Sequence, residues 1–513
     1  MSSSNKNTTN IPASERALVL QGGGSLGSYE AGAYKALYEW LSKEDKSEGK
    51  DTSMTFDNIA GTSIGAMNAA VLTSYVIENG TYEGSAERLI DFWSYLSEES
   101  MADTNPWLKP WWDYLHRLNK AVATGEAARR YYSAKEFALA GIPNVFSPPI
   151  PIRDNRFFDL IWNTRYRFSN EQLRKSLERF AKFPIASAFE ENQPRLILVA
   201  VDVADGAPVV FDSYAKEDGS RKTEYGRYFK QQNGKEVGFE HVIRYNDGIT
   251  VDQVMASGCY PINFDYTLLD VESYYHQGSV NDNHNSNSFP HGSRISIGIS
   301  SSTTSPDRDF SKQYRKEIRH FWDGGMLYNT PLTQLVLLHR NYWYRIRGLK
   351  DKVPTLNICV INVHPTTQRE IPVDNDGLIN RKNDITFSDR SHKDEEVLLL
   401  VSDYIELVRE LIRVAKEAGA KDKIITNLLN QRTKYHGMNL RPRLYKEIVE
   451  GRFDINQIVR IERKNDEHTI SDKSFDFSSG TITQLIEDGF EDTTDLINNT
   501  RIQNELKNTQ QTQ

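Results

Sequence analysis

The chain has 513 residues, enough for a large catalytic domain with an appended region. Its 62 basic and 70 acidic residues give a net charge of −8, which argues against a general nucleic-acid-binding protein. Two cysteines, Cys259 and Cys359, are too few for a disulfide framework and indicate a reducing compartment. No apolar run is long enough to span a bilayer. We therefore predict a cytoplasmic protein whose contact with lipid, if any, is peripheral.

The first predicted unit is a strand, a glycine loop and a helix. The short strand Arg16–Gln21 leads into Gly22-Gly-Gly-Ser-Leu-Gly27, and an amphipathic helix follows. A dinucleotide-binding fold has the same order, but it needs a second strand ending in an acidic residue about 20 residues further on. Residues 42–50 are a polar segment instead. We therefore favour an oxyanion hole built from the N–H groups of Gly23 and Gly24, with a plain tight turn as the alternative.

The second unit is a nucleophile-elbow motif, Gly61-Thr-Ser-Ile-Gly65. An apolar run ending at Ala60 precedes it and helix-forming residues from Ala66 to Ile77 follow it, so the pattern predicts strand, turn and helix. Gly61 and Gly65 leave the space that so sharp a reversal needs. Ser63 would then lie at the N-terminus of a helix, where unpaired N–H groups and the helix dipole favour developing negative charge. We predict that Ser63 is a nucleophile.

The region from Gly80 to Phe168 is predicted to be helical and is unusually aromatic. Tryptophans and prolines in Trp107–Tyr114 and Gly141–Pro151 indicate a cap over an apolar pocket. Trp111 and Trp112 are the candidate substrate-binding residues of this cap. Ordinary core packing is the alternative for any single tryptophan.

The central part of the chain alternates buried and polar segments. The continuous apolar run Arg195–Val203 predicts a buried strand, and Pro208–Phe211 predicts its hairpin partner. Residues 213–240 are polar and are predicted to be a surface excursion, whereas Val251–Pro261 predicts a helix. Residues 273–309 have low complexity and predict a flexible loop. The histidines of this loop do not have zinc-ligand spacing, so the sequence indicates no metal site.

The C-terminal part adds a buried strand at Leu356–Val363, a long helix at Glu395–Ala418 and a strand at Gln457–Arg463. These segments and their composition predict four regions. They are a disordered tail (1–15), a catalytic domain (16–340) with the flexible insertion 273–309, a mostly helical C-terminal extension (341–499) and a second disordered tail (500–513).

Two arrangements could supply the base that a serine nucleophile needs. One is a triad in the chain order Ser63, Asp323, His364, which is the α/β-hydrolase order, and His364 follows a predicted strand as that fold requires. The other is a dyad in which Asp323 takes the proton directly and His364 is structural. The residues by themselves leave both arrangements open.

At this point four motifs resemble the patatin-like phospholipase family. The segments Gly22–Gly27, Gly61–Gly65 and Asp323-Gly-Gly325 look like the three signatures of the family, in the family's order. Ala256-Ser-Gly-Cys-Tyr-Pro261 resembles its Ala-Ser-x-x-x-Pro segment. The resemblance covers roughly Arg16–Arg340 and is greatest to bacterial-type members with a C-terminal extension.

The resemblance implies a three-layer α/β/α sandwich of patatin type followed by a mostly helical C-terminal extension. It implies a dyad of Ser63 as nucleophile and Asp323 as base, with Gly324 and Gly325 completing the third motif and oxyanion donors in the glycine loop. The implied activity is phospholipase A-like or lysophospholipase-like hydrolysis of lipid esters without metal or cofactor. We expect burial near Trp322 to raise the pKa of Asp323. Two alternatives are an esterase acting on soluble acyl substrates and a non-catalytic lipid-binding protein with the same fold.

Overall fold

The structure is a computed structural model that describes residues 11–100, 125–152, 165–232, 235–261, 263–277, 313–349, 353–368, 371–432, 444–450, 454–464 and 470–511. Its centre is a mixed sheet of ten strands. The strands of the described residues, numbered along the chain, are β1 (Ser14–Leu20), β2 (Asn58–Thr62), β3 (Ile150–Ile152), β4 (Arg165–Arg167), β5 (Arg195–Asp202), β6 (Ala207–Asp212), β7 (Lys222–Gln232), β8 (Lys235–Arg244), β9 (Thr267–Gln277), β10 (Gln313–Asp323), β11 (Thr355–Asn362) and β12 (Ile455–Glu462). Strands β3 and β4 form a separate pair.

Helices cover both faces of this sheet. The α-helices of the described residues are α1 (Gly27–Ser47), α2 (Ile64–Asn79), α3 (Ser85–Leu96), α4 (Gly125–Ala140), α5 (Glu171–Phe180), α6 (Val251–Gly258), α7 (Leu332–Asn341), α8 (Asn375–Phe387), α9 (Ser391–Glu417), α10 (Asp422–Leu429), α11 (Tyr445–Val449) and α12 (Ser479–Gln511). No helix in these ranges has the length and apolar character needed to cross a membrane.

The sheet has a parallel half and an antiparallel half. The order β12-β11-β1-β2-β5 is parallel throughout, and β10-β9-β8-β7 continues it with antiparallel pairs. Strand β6 pairs with β5 as the predicted hairpin. The prediction of a surface excursion at 213–240 is wrong, because β7 and most of β8 lie there and extend the sheet.

Alternation along β1 shows why three layers form. Leu18 and Leu20 pack into a core with α1, α2 and α3, whereas Ala17 and Val19 pack into a second core with α7 and α9 on the opposite face. Successive side chains of a strand point to opposite faces, so a strand buried on both faces reads as one continuous apolar run. The predicted α/β/α sandwich with a helix-rich C-terminal region is confirmed.

Residues beyond position 340 contribute directly to the central sheet. Strand β11 lies between β1 and β12, and α12 packs along α1. At the two ends of the chain, β1 begins at Ser14 inside the predicted tail 1–15, and α12 continues to Gln511 through the predicted tail 500–513. Of the predicted insertion 273–309, residues 273–277 form the end of β9 and the remainder lies outside the described residues.

Candidate active site

Ser63 lies on a sharp turn between β2 and α2, as the elbow motif predicts. Its φ of 57° and ψ of −127° are a conformation that residues with a side chain rarely adopt. The turn is possible because its flanking glycines have no side chains: a Cβ on Gly65 would lie 2.5 Å from the carbonyl oxygen of Leu20. Gly61 packs equally closely against the backbone of Gly65. The elbow therefore presents Ser63 at the first turn of α2.

A hydrogen-bond chain from α6 to β5 holds the elbow in place. The Ser63 N–H donates to the Ser257 hydroxyl at 2.9 Å, and that hydroxyl donates to the carbonyl oxygen of Val199 at 2.6 Å. Ser257 belongs to the Ala-Ser-Gly segment that the sequence singled out. Its contribution is to fix the backbone beside Ser63 to the neighbouring strand.

Asp323 lies at the end of β10 and reaches Ser63 through the register of the sheet. Asp323 pairs with Ala200, and Thr62 pairs with Val199, so both residues come level with the same part of β5. The Asp323 carboxyl group is buried and accepts the Gly325 N–H at 2.7 Å. Gly324, like Gly325, sits in the tight turn that follows.

The electrostatics of Asp323 depend on its burial. Burial raises the pKa of Asp323 to about 7, against the opposing effect of hydrogen bonds from the Ser63 hydroxyl and the Gly325 N–H. The predicted direction of this pKa shift agrees with the structure. A carboxyl group with a pKa near the working pH is suited to accepting and returning a proton.

The glycine loop follows β1 and runs directly beside Ser63. A Cβ on Gly22 would lie 2.8 Å from the Ser63 Cβ and 2.5 Å from Asn329 Oδ1. Asn329 clamps the loop, because its carbonyl accepts the Gly22 N–H at 3.3 Å and its amide donates to the Gly22 carbonyl at 3.1 Å. Gly24 has a φ of +61° and approaches the carbonyl oxygen of Ser474, where a Cβ would lie at 2.5 Å. Only a residue without a side chain fits there.

The N–H groups of Gly23 and Gly24 have no hydrogen-bond acceptor in the described residues, whereas that of Gly22 donates to Asn329. Within the described residues neither donates a hydrogen bond, and both glycines line the cavity that contains Ser63. Two unpaired N–H groups beside a serine hydroxyl can receive an anionic oxygen. The sequence had favoured these two glycines as donors over the rest of the loop.

A buried polar network supports the base of the loop. Asn68 of α2 donates to the Gly27 carbonyl at 3.0 Å and to Glu30 at 2.8 Å, and it accepts the indole N–H of Trp93 at 3.1 Å. Burial raises the pKa of Glu30 well above its usual range, against the opposing effect of its hydrogen bonds from Asn68 and the Gln21 N–H. Gly27 itself packs tightly against Ile64 and Trp93. Sequence reasoning missed Asn68 and Glu30, since neither belongs to a motif.

Ser63, Asp323, Gly22 and Gly325 line one cavity of about 290 Å³. The remaining wall is mainly apolar and includes Ile64, Met67, Val145, Phe146, Leu173, Phe264, Phe475 and Phe477. The Phe146 ring is the centre of this wall, with ring-centre distances of 4.9 Å to Phe168 and 5.8 Å to both Phe264 and Phe475. A mainly apolar wall of this kind can receive an apolar chain.

The segments predicted to form an apolar cap have different outcomes. The segment Gly141–Pro151 lies within the described residues, and its Val145 and Phe146 line the cavity. Trp111 and Trp112 lie outside the described residues, so their predicted substrate contact stays a prediction.

A C-terminal segment that the sequence did not connect with the site closes one side of it. Lys473, Ser474, Phe475 and Phe477 line the cavity, and the Lys473 carbonyl accepts the Ser25 hydroxyl at 2.7 Å. This contact joins the segment to the glycine loop across 448 positions of the chain. No motif marks the segment, and only its aromatic residues suggest burial.

His364 also lines the cavity, beside the glycine loop. Its Nδ1 is 3.1 Å from Asp384 Oδ1, a partner that is different from Asp323. Burial is the main cause that lowers the pKa of His364 to about 4. The structure thus pairs this histidine with Asp384 of α8 and not with the carboxyl group that a triad would use.

A three-layer sandwich whose sheet has a parallel half, with a serine elbow at the end of a parallel strand, is typical of α/β hydrolases. Within that class, the chain belongs to the patatin-like phospholipase family, because the family model for patatin-like phospholipase matches residues 18–336. The family predicted from the motifs is therefore confirmed, and with it the general class of lipid acyl hydrolases.

Among solved structures, the chain is similar to the crystal structure of VipD from Legionella pneumophila. The identity is 12%, the match covers 95% of this chain and 67% of VipD, and the TM-score is 0.25. No curated protein matches this chain. The family assignment therefore depends on the family model.

Proposed function

We propose that this protein is a serine lipid acyl hydrolase that cleaves carboxylic ester bonds through a Ser63–Asp323 dyad. The observation that carries the proposal is the position of Ser63, Asp323 and the unpaired N–H groups of Gly23 and Gly24 around one apolar cavity. Nucleophile, base and oxyanion donors are the three groups that acyl transfer requires.

In the proposed first step, the Ser63 oxygen attacks the ester carbon while its proton passes to the Asp323 carboxylate. The negative charge then develops on the former carbonyl oxygen, which the N–H groups of Gly23 and Gly24 stabilise. Asp323 returns the proton to the departing alcohol, so that the C–O bond breaks and an acyl-serine remains. In the second step water attacks the acyl-serine, gives one proton to Asp323 and releases the fatty acid, and Asp323 reprotonates Ser63.

The aromatic wall around Phe146 supports an acyl chain as the apolar part of the substrate. Aromatic rings from four separate segments pack together at this wall: Phe146, Phe168, Phe264 and Phe475. We further propose peripheral contact with a lipid surface, from which the acyl chain enters the cavity. Neither a metal nor a cofactor enters the proposed steps.

The direct test is labelling with a fluorophosphonate, which reacts with an activated serine. We expect one label, at Ser63, and we expect Ser63→Ala to lose both the label and ester hydrolysis with unchanged melting temperature. Ser74→Ala is the matched control, because Ser74 lies further along α2, its hydroxyl contacts Glu78 and the Lys182 N–H, and it does not line the cavity. Label on another serine, or full activity of Ser63→Ala, would refute the assignment.

A panel of esters separates this proposal from its alternatives. The lipid hydrolase should prefer long acyl chains, since each buried methylene contributes about 0.8 kcal/mol. Preference for short, soluble esters would favour the general esterase. Lipid binding without turnover or labelling would favour the non-catalytic lipid-binding protein.

A further inference from the structure

Helix α9 (Ser391–Glu417) has one side against the protein and another side in solvent. Leu398 and Ile405 are buried, and Leu398 joins the core on the second face of the sheet. On the same side of the helix, the Arg409 side chain donates to the Val449 carbonyl oxygen at 3.1 Å. These contacts determine which side of α9 faces outward.

The outward side carries a strict repeat of large apolar residues, which we call the seam. Its six members are each between 48% and 60% exposed: Val397, Leu400, Tyr404, Leu407, Leu411 and Val414. The intervals between them alternate between three and four residues throughout. A surface helix normally has its apolar stripe toward the core and charged residues on the opposite side. In α9 a second apolar stripe points away from the core.

The spacing of the seam fits a second helix lying along it. Apolar residues that repeat every 3.5 residues stay in line with a partner helix, because the two helices wind around each other and their side chains interlock. At 1.5 Å per residue, the seam from Val397 to Val414 is about 26 Å long. Within the described residues α9 contacts α7 and α11, and these contacts leave the seam residues about half exposed.

We propose that the seam pairs with the same seam of a second copy of this chain, so that two α9 helices form a coiled coil and the protein is a homodimer. The six side chains expose roughly 600 Å² per copy, which is the upper end of what monomeric proteins leave in one patch. Pairing two copies would therefore bury roughly 1,200 Å² in total, which reaches the range of specific interfaces. The inference goes beyond ester hydrolysis and does not depend on it.

The residues that flank the seam favour a parallel pair. One flank is acidic in every heptad and the other is apolar: Glu396, Asp403, Glu410 and Glu417 on the first, and Val401, Val408 and Ala415 on the second. In a parallel coiled coil each flank faces the opposite flank of the partner helix, so the acidic residues lie beside aliphatic side chains. An antiparallel pair would place acid opposite acid, and like charges repel. Arg413 also forms ion pairs with Glu410 and Glu417 of its own helix, which reduces the charge of the acidic flank.

Sedimentation equilibrium of the full chain over a range of concentrations tests the dimer. We expect wild type to reach the mass of two chains, and Leu400→Glu to raise the dimer Kd roughly a hundredfold or more, because it places a carboxylate from each copy in one buried layer. Leu399→Glu is the matched control. Leu399 is also exposed, at 41% against 53% for Leu400, but it lies beside the seam and not in it. This variant should leave the dimer Kd within about twofold.

Leu400→Cys tests the orientation. In a parallel pair in register the two new thiols share one layer and should form a disulfide under mild oxidation. In an antiparallel pair residue 400 lies opposite residue 411, which separates the two thiols by about 16 Å along the helix axis. Wild type under the same oxidant is the control, since Cys259 and Cys359 lie at the end of α6 and in β11.

Three results would overturn the inference. The first is a wild type that stays monomeric at every concentration, including one whose seam instead binds phosphatidylcholine vesicles and loses that binding in Leu400→Glu. The second is an equal loss of dimer in Leu399→Glu and Leu400→Glu, which would indicate association through any exposed apolar residue. The third is a dimer in which Leu400→Cys forms no disulfide, because the parallel coiled coil requires that link.

Discussion

Replacing Asp323 with asparagine should stabilise the protein at high pH while abolishing ester hydrolysis. Asparagine keeps the size of the side chain and an oxygen that can accept the Gly325 N–H. The substitution removes only the free-energy cost of ionising a buried carboxyl group at high pH. Loss of activity combined with gain of stability is the signature of a functional group held at an energetic cost.

The magnitude follows from the pKa of Asp323. Burial raises it from 3.8 to about 7 in the folded protein. A raised folded-state pKa contributes stability that is fully present below pH 3.8 and is lost as the pH rises through about 7. The loss is roughly 4 kcal/mol, from about three pKa units at 1.36 kcal/mol each. The variant does not suffer this loss, so it should exceed wild type by that order above pH 8 and match it below pH 4.

Urea unfolding at a series of pH values, followed by two independent probes, measures the difference. Asp389→Asn is the matched control of opposite sign. Asp389 is also buried, but hydrogen bonds from Ser391, Arg460 and Asn362 lower its pKa. Its replacement should therefore destabilise the protein by a constant amount above about pH 4, and the effect should shrink as the pH falls below 3.8. In wild type, kcat/KM for a soluble ester should rise with pH through about 7. A stability difference that is the same at all pH values would refute the reasoning.

Two further predictions concern the loop and the cap. Gly23→Ala should lower kcat by about 10²–10³, because its Cβ would lie 2.6 Å from Val363 Cγ2 and would displace an oxyanion donor. Adding Val363→Ala should recover part of the lost kcat, and the absence of any recovery would contradict this cause. Replacing Trp111 and Trp112 with alanine should reduce activity on aggregated lipid far more than on a soluble short-chain ester, because tryptophan favours the membrane interface. Equal losses in that comparison would mean that these tryptophans serve only the core.

The sequence predicted the part of the site that depends on local backbone geometry. The elbow needs a residue without a side chain on both sides of Ser63, and the loop needs one at positions 22 and 24. These positions can therefore be recognised in the sequence as glycine motifs. The register of β2, β5 and β10 then determines that Asp323 meets Ser63. The sequence does not show this register, because β2 and β5 are buried at every position and have no alternating pattern.

Side chains that approach from distant segments were not predictable in this way. Asn383 and Phe387 of α8 line the cavity, yet their segment is a polar stretch with no regular apolar period. The long helix α9 was predicted at Glu395–Ala418, but among its apolar residues Val397 and Tyr404 are exposed, whereas Leu398 and Ile405 are buried. Periodicity identifies a helix, and only the tertiary packing decides which edge of a broad apolar face is covered.

The C-terminal third contributes both to the sheet and to the cavity. Strand β11 lies between β1 and the edge strand β12, so the glycine loop that follows β1 depends on residues beyond the family match at 18–336. Gln21 makes this dependence specific, because its side-chain oxygen accepts the N–H groups of both Val363 and His364, at 2.8 and 2.9 Å. Since the glycine following Gln21 adjoins Ser63, the same contact sets the position of the loop at the nucleophile and of the imidazole at the cavity wall. In this structure the glycine loop and His364 are positioned together by the buried side-chain amide of Gln21.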